Sequence, residues 1–256
     1  MVRRHAASAF APDVYVFPGG TLQANDWPPA DGAALADVDA AAAHARLGGR
    51  EKAGLDEPAG SLALWITALR ELFEEAGVLL ARNATGEYAA FDDPAAAARI
   101  AVHRASVTSG GISLWELARR EGLTLAPAAL RYWAHWITPE AAKLRFNTVF
   151  FIALMPPRQE ALHCGAQTLP EALACTLETT DGVWIAPGDA VARHAAREFP
   201  LVFATFSHLQ RLADFPTLEA LWAHTANKPV VTVLPVLEVD VTPPRIVLPP
   251  EVRECW

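Results

Sequence analysis

Residues 61–76 impose the strongest local demand on this chain. On a helical wheel at about 100° per residue, Leu62, Trp65, Ile66, Leu69, Leu72, Phe73 and Ala76 fall on one broad face. Glu71, Glu74 and Glu75 fall on the other, beside Arg70. A helix so patterned must bury its apolar face and also support three crowded like charges, which repel by about a few tenths of a kcal/mol per exposed i,i+4 pair. A solvated acidic stripe is the plain explanation. A bound cation is the functional one, because hard divalent ions such as Mg²⁺ take carboxylate oxygens. Gly77, lacking a Cβ, predicts a left-handed turn that closes the helix.

Around this helix the texture of the sequence predicts a mixed α/β chain. VYVFPGG at 14–20 reads as a strand ending in a tight turn. The following Ala-, Asp-, Gly- and Pro-rich stretch, about 21–60, reads as an insertion outside the core, with one helix around 32–46. Short helices are expected over 92–123, at 93–104 and 113–122. LRYWAHWI at 130–137 and FNTVFFIALM at 146–155 predict strands, with a third within 174–185. Helices are expected at 188–198 and 205–225, the latter broken near Pro216, before a strand-like tail. No linker divides the chain, so one domain over 1–256 is the expectation. If 130–137 is a regular strand, Tyr132 and Trp136 share a face and Trp133 points the other way.

The 52% hydrophobic and 20% charged content leaves ample material for a core and excludes global disorder. A formal charge of −8 argues against nucleic acid or an anionic membrane surface as partner. No apolar run approaches the roughly 20 residues of a membrane span. Cys164, Cys175 and Cys255 lack CxxC spacing, which favours a reducing, cytoplasmic setting over a disulfide framework. The eight histidines show no HxH or HExxH spacing.

FPGG at 17–20 followed by RELFEEAGV at 70–78 resembles the signature of the Nudix hydrolases. The second half of that signature runs Arg-Glu-apolar-any-Glu-Glu-any-Gly-apolar, and Arg70, Glu71, Leu72, Glu74, Glu75, Gly77 and Val78 fill its fixed positions. The first half departs from the pattern. Gly20 lies fifty residues ahead of Arg70, and Leu62 stands where a helper glutamate is expected. The insertion, with RYWAHWITPEAAKLRFNTVFFIALMP at 131–156, resembles the branch containing peroxisomal coenzyme A diphosphatase-like proteins. In that family a full strand also precedes the segment matching VRRHAASAF, where only Met1 stands.

The resemblance implies an α/β/α sandwich with a mixed sheet and helical insertions. It implies Mg²⁺ or Mn²⁺ held by Glu71, Glu74 and Glu75, with a backbone carbonyl of Gly19 or Gly20. Arg70 becomes an orienting partner for a helix carboxylate within the catalytic set. The implied reaction is hydrolysis of a diphosphate linking a nucleoside to another moiety, coenzyme A or acyl-coenzyme A being the favoured substrate, with a homodimer left open. Glu71 and Glu74 are both candidates for the base that takes the proton of the attacking water. Arg4 and Arg145 are candidate substrate contacts, the bland reading of Arg145 being a solvated strand entry. Glu160 or Glu178 is a candidate additional carboxylate. The alternative is a Nudix-fold nucleotide-binding or regulatory module that does not hydrolyse, suggested by the departure at Leu62.

Overall fold

The computed structural model describes residues 1–8, 11–48, 57–160, 179–226, 228–242, 245–253 and 256. Three-residue strand β1 (Val2–Arg4) is the centre of a small sheet, antiparallel to β2 (Tyr15–Val16) on one side and to β7 (Thr179–Gly182) on the other. Val2–Arg4 is thus paired on both edges. A second sheet has the order β6-β5-β8. Its long hairpin joins β5 (Leu130–Ile137) to β6 (Asn147–Ala153), and β8 (Thr232–Val233) lies parallel to β5. Two further pairs are β3 (Ala81–Arg82) with β4 (Thr124–Leu125), and β9 (Val236–Glu238) with β10 (Arg245–Val247).

The helices are α1 (Gly32–Leu35), α2 (Ala40–Arg46), α3 (Pro58–Ala76), α4 (Pro94–Thr108), α5 (Leu114–Glu121), α6 (Pro187–Ala195), α7 (Phe203–Ala213) and α8 (Leu218–Ala226). Their ends follow from local chemistry. Pro58 stands at the start of α3, where the missing N–H costs nothing. Gly77 ends it at φ 70°, donating its N–H to the Phe73 carbonyl at 2.9 Å. Asp93 caps α4 by accepting from the Ala96 amide at 2.9 Å, and Ser113 caps α5 by accepting from Glu116 at 3.0 Å. The break expected near Pro216 separates α7 from α8.

The hairpin is the middle of three layers. One face, through Tyr132, Val149, Phe151 and Ala153, joins the core built on Leu62, Trp65, Ile66, Leu69 and Phe73 of α3. The other, through Trp133, Trp136, Phe150 and Ile152, packs on Phe203 and Leu212 of α7 and Leu221 of α8. This is the α/β/α layering expected. Each fully buried large apolar side chain in it contributes roughly 1.5–3 kcal/mol.

Two local expectations are corrected. The ladder shifts register between Tyr132 and Ala134, leaving Trp133 as an extra residue opposite β6. Tyr132 and Trp136 therefore lie on opposite faces, and Trp133 shares the face of Trp136. The segment read as an insertion outside the core also packs inward. Ala36, Val38, Ala43 and Leu47 are buried with α3, and Ala36 bridges Leu125 of β4. That bridge splits the single helix expected over 32–46 into α1 and α2.

With this cover, α3 is enclosed on nearly every side. Ala63 and Thr67 are buried with its apolar face, and the Trp65 indole donates to the Ala43 carbonyl at 3.2 Å.

Candidate active site

The turn after β2 closes on α3. Its Gly19 amide donates to Oε2 of Glu75 at 2.9 Å. The bare Cα of Gly20 faces Glu71 so closely that a Cβ there would stand 2.3 Å from Oε1. Gly20 and the 71–75 carboxylates thus meet in space across the sequence gap. They are not a solvated stripe: Glu71 is 6% exposed, Glu75 is 5% exposed, and the Glu74 side chain is 12% exposed.

Arg70 holds this cluster. Its Nη1 donates to Glu71 Oε1 at 2.7 Å and, more weakly, to Glu74 Oε1 at 3.3 Å. Its Nε and Nη2 grip Asp26 at 2.7 and 3.1 Å, and Nη2 also donates to the Thr21 carbonyl at 2.9 Å. Burial alone would lower the pKa of this guanidinium. The hydrogen bonds it donates to Asp26 and the charges of Glu71, Asp26 and Glu74 outweigh that and raise it. Arg70 is therefore committed to carboxylates and backbone.

Asp26 is the residue that sequence reasoning missed. Fully buried on the single turn of 3-10 helix Ala24–Asp26, its carboxylate also accepts from the Thr67 hydroxyl at 2.9 Å and the Gln23 amide at 2.8 Å. Trp115 of α5 donates its indole N–H to the Asp26 carbonyl at 3.1 Å. Leu62, where a helper glutamate was looked for, lies in the apolar core. It is Asp26, an acidic residue shortly after Gly20, that pairs with Arg70, and that short step was the available signal.

Arg104 of α4 was also missed. Its Nε and Nη2 donate to the Glu74 carbonyl at 3.0 and 2.8 Å, near the C-terminal end of α3. Desolvation lowers its pKa, and the charges of Glu74 and Glu75 oppose that shift. Gln159 is a third omission. Its buried amide accepts from Leu79 N–H at 3.0 Å and donates to the carbonyls of Leu79 and Ala89 at 2.9 and 2.7 Å. It thereby fixes the chain leaving α3.

The other candidates lie outside α3 and the Gly19–Gly20 turn. Arg4 is half-buried on β1, in register with Thr179. Arg145 is exposed in the β5–β6 loop and donates to the Thr138 carbonyl at 3.1 Å. Glu160 is exposed next to Gln159, and Glu178 lies outside the described residues.

Donor chemistry decides whether a cation suits the cluster. Four carboxylates (Asp26, Glu71, Glu74 and Glu75) surround the guanidiniums of Arg70 and Arg104, with the Met1 ammonium within electrostatic reach of Glu75. Negative charge is in excess, and every donor is a hard oxygen on or beside one rigid helix, which fits Mg²⁺ or Mn²⁺. Among the described residues no three His, Cys, Asp or Glu side chains already converge as a ligand cage. Here Glu71 and Glu74 turn to Arg70, and Glu75 turns to the Gly19 amide. A cation would compete with those partners for the same oxygens.

The layered fold and a glycine turn closing on an REXXEE helix define a class. The chain belongs to the Nudix hydrolase family: the family model described as NUDT19 Nudix domain matches residues 1–212. It is similar to the acyl-coenzyme A diphosphatase NUDT19 of Gallus gallus, 28% identical over 251 residues, covering 89% of this chain and 64% of that protein. The Homo sapiens protein of the same name is 28% identical over 244 residues, covering 86% and 62%. The chain thus spans just under two thirds of the length of the curated relatives it matches. Its fold is similar to the crystal structure of a Nudix hydrolase from Alicyclobacillus acidocaldarius, with a TM-score of 0.58, 25% identity, and coverage of 89% and 88%.

Proposed function

We propose that this chain hydrolyses the diphosphate linkage of a nucleoside diphosphate joined to another moiety, with coenzyme A or an acyl-coenzyme A as substrate. The observation that carries the reading is the closure of Gly19 and Gly20 on the carboxylates of Glu71 and Glu75. Glu71, Glu74 and Glu75, with a carbonyl of Gly19 or Gly20, would hold Mg²⁺ or Mn²⁺. When bound, such an ion neutralises phosphate oxygens and makes water a better nucleophile near neutral pH.

The protein's own groups supply positioning. Arg70, fixed by Asp26, orients Glu71 and Glu74, and Arg104 fixes the backbone that carries Glu74. Glu71 or Glu74 accepts the proton of the attacking water. Rigid helix and buried ion pairs keep these groups within the tolerance catalysis needs. The choice of coenzyme A draws on the names of the NUDT19 relatives. A small-molecule partner and a reducing, cytoplasmic setting belong to the same reading. Among the described residues no helix is long and apolar enough to cross a membrane.

The test is incubation of the purified protein with Mg²⁺ or Mn²⁺ and a panel of coenzyme A esters, NADH, ADP-ribose and nucleotide sugars. Products are then identified by mass spectrometry. Release of 3′-phospho-ADP with a phosphopantetheine product is expected. Turnover of another panel member alone would overturn the coenzyme A choice, and no turnover on any would overturn the hydrolase reading.

A further inference from the structure

Away from the carboxylate helix, positive charge gathers where the end of α7, α8 and β5 meet. The His224 imidazole of α8 packs against two rings, Phe215 and Trp133, at centroid distances of 5.0 and 6.4 Å. Each ring carries a cation. The Arg211 guanidinium is 5.8 Å from the Phe215 centroid, and the Lys228 ammonium is 4.5 Å from the Trp133 centroid. Arg211, near the end of α7, and Lys228, just beyond α8, are thus both close enough to His224 for their charges to act on it, in a protein whose formal charge is −8.

Nε of Arg211 and Nε2 of His224 are buried and hydrogen-bond no group among the described residues, a costly state for buried polar nitrogen. Lys228 is steadied by donating to the Trp133 carbonyl at 2.6 Å. Arg211 Nη1 pairs with Asp214 at 3.3 Å, and the Asp214 side chain is 63% exposed. Such a long surface pair offers little competition. Desolvation, and then the charges of Arg211 and Lys228, hold the His224 pKa below its ordinary value. An anion would relieve that field.

We propose that Arg211, His224 and Lys228 form an anion site for a phosphate group, sharing no residue with the carboxylate cluster. A guanidinium fork, a point-charge ammonium and an imidazole together offer the donors and the positive charge that a phosphate oxyanion takes. The phosphate is either free inorganic phosphate or a monoester carried on a nucleotide.

Calorimetric titration without divalent ions, using potassium phosphate and adenosine 3′,5′-bisphosphate as probes, tests this. At least one probe is expected to bind. Arg211→Gln and Lys228→Gln should each weaken it about tenfold or more, while Glu75→Gln should leave it unchanged. Tighter binding of the bisphosphate assigns the nucleotide monoester, and equal or tighter binding of inorganic phosphate assigns the free ion. Arg211→Lys, which keeps the charge, should retain part of the affinity, and with Lys228→Gln it carries the test if Arg211→Gln does not fold. Absence of binding by both probes would overturn the site, as would parental affinity in the Lys228→Gln and Arg211 variants.

Discussion

The Arg70 guanidinium lies 2.7 Å from the Asp26 carboxylate, and the two residues are separated by 44 positions in the chain. Both are buried, so removing the charge of one strands the other in low dielectric. Asp26→Asn should lower unfolding free energy by about 3 kcal/mol, the lower end for a broken buried pair, because Arg70 keeps Glu71 and Glu74. Urea denaturation followed by tryptophan fluorescence measures it. Activity should fall about 10–100-fold through misplacement of Glu71. Parental stability in the variant would show that Arg70 does not depend on Asp26.

Gly19 and Gly20 should respond differently to a methyl group. At Gly20 a Cβ would press on the Glu71 carboxylate, whereas at Gly19 it meets nothing within 4 Å. Gly20→Ala is expected to cut kcat about tenfold or more and raise the Mg²⁺ concentration needed for half-maximal rate. Gly19→Ala should stay within about 0.5 kcal/mol of the parent in stability and retain its rate. Equal kinetics for the two variants would contradict the close approach.

Glu74→Gln keeps the side chain's size and removes its charge. Turnover should drop about 10²-fold or more, since metal-assisted stabilisation of the transition state amounts to several kcal/mol. Without metal the variant should be as stable as the parent or slightly more so, because repulsion from Glu71 and Glu75 is relieved. Added Mg²⁺ should raise the melting temperature of the parent more than that of the variant. A parental rate across a Mg²⁺ titration would remove Glu74 from the ligand set.

His208 predicts a pH dependence of stability. It is fully buried, its Nδ1 accepts from the Trp133 indole at 3.0 Å, and desolvation, with the Lys228 charge second, pushes its pKa down to about 3. The unfolded chain takes up this proton near pH 6.5 and the folded chain does not. The contribution is thus complete above about 6.5 and is lost as pH falls toward 3, at up to about 1.4 kcal/mol per pH unit. Denaturation midpoints measured from pH 7.5 to 4.5 should fall more steeply for the parent than for His208→Gln, whose amide oxygen can still accept the indole proton. Parallel profiles would refute the assignment.

Gln159 satisfies three backbone groups with one amide. Gln159→Leu should destabilise by about 2–4 kcal/mol, because the Leu79 and Ala89 groups lose their partner in a buried place. Thermal unfolding followed by circular dichroism would register this, and an unchanged melting temperature would show that the backbone finds other partners.

The sequence by itself determined the elements whose pattern is local. Leu62 through Ala76 carry a 3.6-residue period, and Gly77 supplies the left-handed stop, so α3 and the side opposite its apolar face were legible together with the three glutamates. LRYWAHWI and FNTVFFIALM were legible as strands for the same reason, since apolar and β-branched or aromatic residues mark them without reference to the rest of the chain. Only the tertiary structure decided what these elements touch. The pairing of Asp26 with Arg70 depends on the path of the intervening chain, which no periodicity encodes. The bulge at Trp133 is a property of the ladder with β6, so the two-residue period of β5 alone put Tyr132 and Trp136 on one face. From the helix alone a solvated stripe and a cation site were both open for the glutamates, because burial is set by the neighbours that cover a helix. Here those are the Gly19–Gly20 turn, the 21–48 segment and α4, and they turn a line of surface charge into an enclosed cluster whose charges must be matched.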